Sequence, residues 1–218
     1  MDRHAVIAPG RAVARRVFLL SPAYAGGKRA RMLMRVEAQF PLAGRLRGAD
    51  RPTLAEVFTF LSGLYFRGKI AYANAFSTPT ATGAVLVITP NRGLLPADTP
   101  LGVAELRAFA EVDIDKDDPR YRKPLVRDVR KLAQQLPANA DVVLLGSVAT
   151  GKYVDVLLEH FGERLLFPAD FVGRGDMSRG GLLLRSAVDG TELKYIPVSG
   201  AVRKGKRPPK LEPRRYTK

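Results

Sequence analysis

Between Asp141 and Pro168 the chain reads "DVVLLGSVATGKYVDVLLEHFGERLLFP": an apolar strand, a glycine-bracketed turn, an amphipathic helix and a second apolar strand. Parallel strands cannot be joined by a tight hairpin, and a helical crossover of this length makes the right-handed strand–helix–strand unit. Such a unit must sit in a sheet covered by helices, so the chain is predicted to be an α/β domain with a mostly parallel or mixed central sheet. The runs "VFLLSP" at 17–22 and "AVLVITP" at 84–90, each closed by Pro, supply further strands. "PLVRDVRKLAQQL", residues 124–136, opens on Pro and sets Leu125, Val129, Leu132 and Leu136 on one stripe. It is predicted to be a helix packed on the sheet, with Arg127, Arg130 and Lys131 on its outer face. Residues 53–76 carry apolar side chains at helical spacing, broken near Ser62-Gly63, and read as two short helices or one kinked one. "GLLLRSAV" and "ELKYIPV", separated by an Asp-Gly turn signal, are predicted to close as a C-terminal hairpin.

With 218 residues, 46% of them hydrophobic, the chain can bury one sizeable core. The expected organisation is a basic N-terminal extension at 1–16, an α/β domain at 17–198 and a flexible basic tail at 199–218. There is no apolar run of the ~20 residues a membrane-spanning helix needs and no apolar centre of a secretion signal, so no membrane partner and a cytoplasmic location are expected. Without cysteine, and with only His4 and His160, the chain offers no thiolate or imidazole metal site. The aspartates of "EVDIDKDDPRYRKP" lack the Gly and terminal Glu of a calcium loop and read as a solvated linker. No cofactor or metal is expected, and oligomeric state is not encoded in any pattern found. The charge is more informative, because 36 Lys and Arg against 21 Asp and Glu leave +15. Such a surplus draws polyanions through counterion release, which makes DNA or RNA the leading partner. Solubility alone is the competing explanation.

The turn "GSVATGKY" matches a Walker phosphate loop at Gly146, Gly151 and Lys152, but Tyr153 stands where a small magnesium-binding hydroxyl belongs. The turn also falls late in the chain, and no apolar strand ending in Asp follows it to complete a nucleotide-hydrolysing site. A loop entering a helix still turns free N–H groups outward, so Gly146, Ser147, Thr150, Gly151 and Lys152 are candidate phosphate ligands. An ordinary strand-to-helix turn accounts for the same letters. The second glycine-rich segment, "FPADFVGRGDMSRGG" at 167–181, offers Arg174, Ser178 and Arg179 to phosphate and Asp176 as the reacting carboxylate. An Asp176–Arg ion pair that only stiffens the loop is the alternative. Both segments leave the carboxyl edge of a parallel sheet, where α/β proteins keep their sites. The Gly26-Gly27 turn before a basic helix makes a further anion site, and Arg67 and Lys69 either join the cradle or lie on a solvated face. Arg127, Arg130, Lys131, Arg203, Lys204, Lys206 and Arg207 are candidate contacts to a nucleic-acid backbone. Tyr65, Tyr72 and Tyr153 either stack on an extruded base or belong to the core.

The order of "FLLSPA", "GLYFRGKIAYANAF", "VLVITPNRGLLPADTPL" and "VVLLGSVATGKYVDVL" resembles the YaaA-like family of bacterial peroxide-response proteins and related small α/β domains, one of them within archaeosine synthase. The likeness spans most of residues 17–170, without the Cys and Lys cluster those relatives carry after the first strand and without a counterpart of "FVGRGDMSRGG". It implies a nucleic-acid-associated protein with base or nucleotide modification as its enzymatic role. The sequence therefore points to an enzyme acting on a nucleotide or base within DNA or RNA, at the base or its glycosidic bond. A non-catalytic nucleic-acid binder and a degenerate P-loop phosphotransferase are the alternatives.

Overall fold

A computed structural model of the chain describes residues 15–78 and 83–212, leaving most of the N-terminal extension and the last residues of the tail outside the described region. Within it, eight helices flank one six-stranded mixed sheet. Strand β1 (Arg16–Leu20) is followed by α1 (Lys28–Met34), α2 (Pro41–Arg47), α3 (Leu54–Ser62) and α4 (Leu64–Phe76). Next come β2 (Val85–Ile88), β3 (Leu94–Pro96), α5 (Val103–Ala110) and α6 (Pro119–Gln135). The chain then forms β4 (Asp141–Leu145), α7 (Gly151–Phe161), β5 (Leu165–Pro168), α8 (Asp176–Asp189) and β6 (Tyr195–Pro197).

The sheet order is β3-β2-β1-β4-β5-β6, with β2, β1, β4 and β5 parallel and the edge strands β3 and β6 antiparallel. From β1 the chain moves outward to β2 in one direction, and from β4 to β5 in the other. Right-handed crossovers running in opposite directions must pass over opposite faces. Accordingly α4 packs with α8, and α6 with α7. The four parallel strands are almost wholly enclosed: Val17 to Leu20 and Val142 to Leu145 are all inaccessible to solvent. That is why they read as continuous apolar runs rather than as alternating ones. Among the described residues no helix is long and apolar enough to cross a membrane.

Three segments differ from the sequence expectation. "GLLLRSAV" is the second half of α8, not a hairpin arm, and β6 pairs with β5 instead. Its Asp-Gly signal is a helix stop: Gly190, at φ +62°, is the left-handed C-cap whose N–H bonds the Ser186 carbonyl. Helix α6 starts at Pro119, so Pro124 lies inside it. Asp118 accepts a hydrogen bond from Arg120 N and Pro119 occupies the first turn, a stronger start than Pro124 can make. The stretch "NRGLLPADTPLG" after "AVLVITP", whose Gly and Pro read as a structured loop, holds the three-residue β3, and α5 follows it.

Residues 198–212 follow β6 without regular structure and run over the start and outer side of α8. The Arg174 guanidinium donates to the Pro209 carbonyl at 3.3 Å, Arg185 donates to Glu212 O, and Gly173 packs on the Lys206 carbonyl.

A candidate active site at the switch point of the sheet

Because adjacent strands β1 and β4 send their connections in opposite directions, a crevice opens at their carboxyl ends. Ser21 ends β1, with its N–H bonded to Leu145 O at 3.1 Å, and Gly146 and Ser147 end β4. A cavity of about 440 Å³ opens there. Ser21 and Ser147 lie on its floor side, Tyr65 of α4 and Tyr153 of α7 form walls, and Asp176 enters from the start of α8. Lys28 and Arg29 line its mouth together with Tyr24, whose ring is 73% exposed and lies over the Gly26-Gly27 turn.

Under this floor sits Lys69, 1% exposed. Aromatic side chains of the preceding turn of α4 surround it: its amine lies 4.5 Å from the Tyr65 ring centre and 4.7 Å from that of Phe66. The Nζ reaches the Ser21 carbonyl oxygen at 2.6 Å and Ser21 Oγ at 3.0 Å. Burial pulls the amine down to about 7; Asp176 opposes that fall and Arg179 adds to it. The Tyr65 phenol is pushed well above its ordinary value, chiefly by burial. Among the described residues its hydroxyl is buried with no partner in hydrogen-bonding geometry, although Arg179 lies close by. Burial also raises Tyr153, against the Ser21 hydroxyl and the Ser147 carbonyl, to which the phenol donates at 2.9 Å.

Missing side chains make this closeness. A Cβ on Gly146 would lie 2.8 Å from both Ser21 Cβ and Tyr153 Oη, so the first glycine of "GSVATGKY" lets a serine and a phenol meet across two strands. At the α4–α8 crossing, a Cβ on Gly68 would lie 2.5 Å from Gly180 O, and one on Gly180 2.7 Å from Leu64 O and Tyr65 Cα. The two helices thus touch backbone to backbone, which carries Arg179 and Asp176 to the Lys69–Tyr65 side of the cavity.

The residues singled out in the sequence separate into groups. Asp176, Ser147, Tyr65 and Tyr153 share the cavity. Asp176 pairs with Arg179 at 3.6 Å, and Arg179, almost buried, is fixed by two bonds to Phe171 O at 3.2 and 3.0 Å. Lys152 lines the neighbouring depression beside Asp113 and Asp115, on the other side of the Ser21–Tyr24 loop. Thr150 is the exposed N-cap of α7 with no side-chain cap bond, and Gly151 begins the helix. Arg174 is engaged with Ser178 Oγ at 3.2 Å and with the tail. Arg127 and Arg130 flank a separate groove between α6 and α7, near Arg122 and Lys123, while Lys131 is exposed on the same helix. Arg127 also pairs with Asp128. Lys204, Lys206 and Arg207 are exposed along the tail, where Arg203 approaches Asp155 at 4.0 Å.

Tyr72 has no solvent exposure and stacks edge-on against Phe18 at 5.8 Å. Its hydroxyl bonds Tyr195 at 2.6 Å and receives Leu193 N–H at 2.9 Å, and it is raised to about 12, chiefly by burial. It is therefore a core residue with no free face for a base. Arg67 is exposed, whereas Lys69 is the most enclosed charged side chain described, so the two members of "RGK" have opposite environments. Sequence reasoning gave no role to Ser21 or Tyr24. The Pro that ends "FLLSP" marks where the β1 turn must begin, and is the local signal that Ser21 stands at a strand's carboxyl end.

The fold and crevice define an α/β protein with a candidate site at a topological switch point. Comparison with known protein families, curated proteins and solved structures yields no match.

Proposed function

We propose that the protein is an enzyme acting on a nucleotide or base within DNA or RNA, at the base or its glycosidic bond. The observation that carries this reading is the composition of the switch-point cavity: a carboxylate, Asp176, and a buried unpartnered phenol, Tyr65, lie inside a mouth lined by Lys28, Arg29 and the exposed ring of Tyr24. A volume of about 440 Å³ lies within the range of small-molecule sites. In this reading the cations meet the phosphates, Tyr24 stacks on an extruded base, and Asp176 serves the reacting centre. The +15 charge and the basic outer face of α6 extend the attraction along a polymer. The resemblance in segment order to the YaaA-like family points the same way. Non-catalytic binding by the same surfaces is the second reading, favoured by the exposure of Asp176 (70%) and its ion pair with Arg179.

The test incubates purified protein with single-stranded and duplex oligonucleotides of both sugars and follows products by mass spectrometry. Asp176→Asn is expected to keep binding and lose turnover by about 100-fold or more. A variant that processes substrate as the parent does rejects the role of Asp176. Binding that is unchanged between low and high salt rejects the polymer as partner.

A further inference from the structure

We infer that Ser21 is an activated nucleophile with the Lys69 amine as its base, and that the cavity above it deacylates a nucleotide carrying an acyl group on its base or sugar. The inference rests on the nucleotide reading for the substrate's class, but not for the Ser21–Lys69 pair. That pair is a piece of geometry: a hydroxyl on a cavity floor, 3.0 Å from an amine enclosed by aromatic rings. A lysine that keeps its charge when buried needs a carboxylate beside it, yet Asp176, whose charge acts on Lys69, is mostly exposed and already paired with Arg179. The groups that face Lys69 are Asp176 and Arg179 from α8 and Tyr65 on its own helix, while the Tyr153 phenol of α7 lies across the Ser21 hydroxyl from it. Burial favours the neutral amine, which can keep its bond to the Ser21 carbonyl and accept the serine hydroxyl proton 3.0 Å away.

The chemistry balances without a further reactant. The Ser21 O–H proton passes to Lys69 Nζ as Oγ bonds to the carbonyl carbon. The resulting oxyanion collapses, expelling the nucleotide's nitrogen or oxygen, which takes the proton back from Lys69. Water then adds to the acyl-serine, its proton moving to Lys69 and on to Ser21 Oγ, and a carboxylic acid leaves. The unpartnered Tyr65 hydroxyl beside the amine is a donor for the single oxyanion this route creates. Phosphoryl transfer, by contrast, spreads charge over three oxygens and demands several donors at once.

The experiment treats the full chain with p-nitrophenyl acetate between pH 5 and 9 and maps the adduct by peptide mass spectrometry. Expected is one acetyl group on Ser21, formed at a rate that rises through a midpoint near 7. Ser21→Ala abolishes it, and Lys69→Met lowers the rate by about 100-fold or more. Because Lys69→Met can fail to fold, Lys69→Arg is the second variant: it keeps a cation but has no neutral form, and the label should be lost with it as well. Acetylation no faster at Ser21 than at surface residues, or an unchanged rate in Lys69→Arg, overturns the pair. An oligonucleotide bearing N-acetylated cytosine is expected to slow the labelling and to be deacetylated. If Ser21 is acetylated normally and that oligonucleotide neither competes nor reacts, the acylated-nucleotide substrate falls while the nucleophile stands; the nucleotide reading itself falls only if the salt-dependent binding and turnover tested above are also absent.

Discussion

The sharpest consequence of a buried amine is a stability that climbs with pH. Lys69 in the folded chain holds its proton only up to about 7, against 10.5 in an exposed lysine. Between those values the unfolded chain binds a proton that the folded chain has released, so folding is increasingly favoured as pH rises; below about 7 both states hold it and the contribution is flat at its lowest. The whole window is worth about 5 kcal/mol at ~1.4 kcal/mol per pH unit, and the portion between pH 7 and 9 about 2 kcal/mol. Stopping at pH 9 keeps out the tyrosines, whose unfolded phenols titrate near 10. Urea unfolding of the parent and of Lys69→Met at pH 6, 7, 8 and 9 isolates this contribution, because every other titrating group is shared. With a slope of about 2 kcal/mol per molar urea, the parent's midpoint should gain roughly 1 M on Lys69→Met between pH 7 and 9. A difference between the two proteins that stays constant across that range would mean that Lys69 keeps its charge when buried, and the role of Ser21 would fall with it.

Gly180→Ala places a methyl 2.7 Å from the Leu64 and Tyr65 backbone, which has no flexible end to yield, and should cost about 1–3 kcal/mol in chemical denaturation. Gly44→Ala, in α2 with nothing within 4 Å of the new methyl, is the control and should stabilise by up to about 1 kcal/mol. Equal effects at the two positions would refute the close helix crossing. On the other face, replacing Arg122, Lys123 and Arg130 of α6 by Gln should weaken oligonucleotide binding evenly across sequences. It should also lower the slope of log affinity against log salt by about one for each phosphate that is no longer neutralised; an unchanged slope places the polymer elsewhere.

The parallel core was legible in the sequence because its strands are buried on both faces and appear as unbroken apolar runs, and because α7 lies between two of them at crossover spacing. Helix α8 was misread for a physical reason. Leu182 to Leu184 form a continuous apolar run that suits a buried strand and a helix facing both sheet and tail, while Asp-Gly serves hairpin turns and helix ends alike, since both need a left-handed residue. Strand β3 has three residues and no period to detect. That Asp176 and Ser147 line one cavity was legible because each lies beside glycines in a segment that follows a strand's carboxyl end. Ser21 and Lys69 were not joined, because 48 residues separate them and only the packing of α4 on β1 makes them neighbours. A lysine two residues from an arginine on an amphipathic helix reads as solvated; what buries this one is Gly68, which lets α8 close over it.

The glycines therefore bear on the chemistry in a way that their resemblance to a phosphate loop conceals. In a Walker loop the first glycine lets the backbone wrap an anion; here Gly146 faces Ser21 and the Tyr153 phenol, and the phenol spends its proton on the Ser147 carbonyl. Lys152, the loop's other signature residue, is turned into the adjoining depression. The same letters arise because a strand-to-helix turn at a crowded switch point and a phosphate cradle share one requirement, the absence of a Cβ where two chains meet. What separates them is what occupies the vacated space. In this protein it is a serine hydroxyl from the neighbouring strand, held between a phenol and an amine, so the reactive group at the end of β4 is supplied by β1.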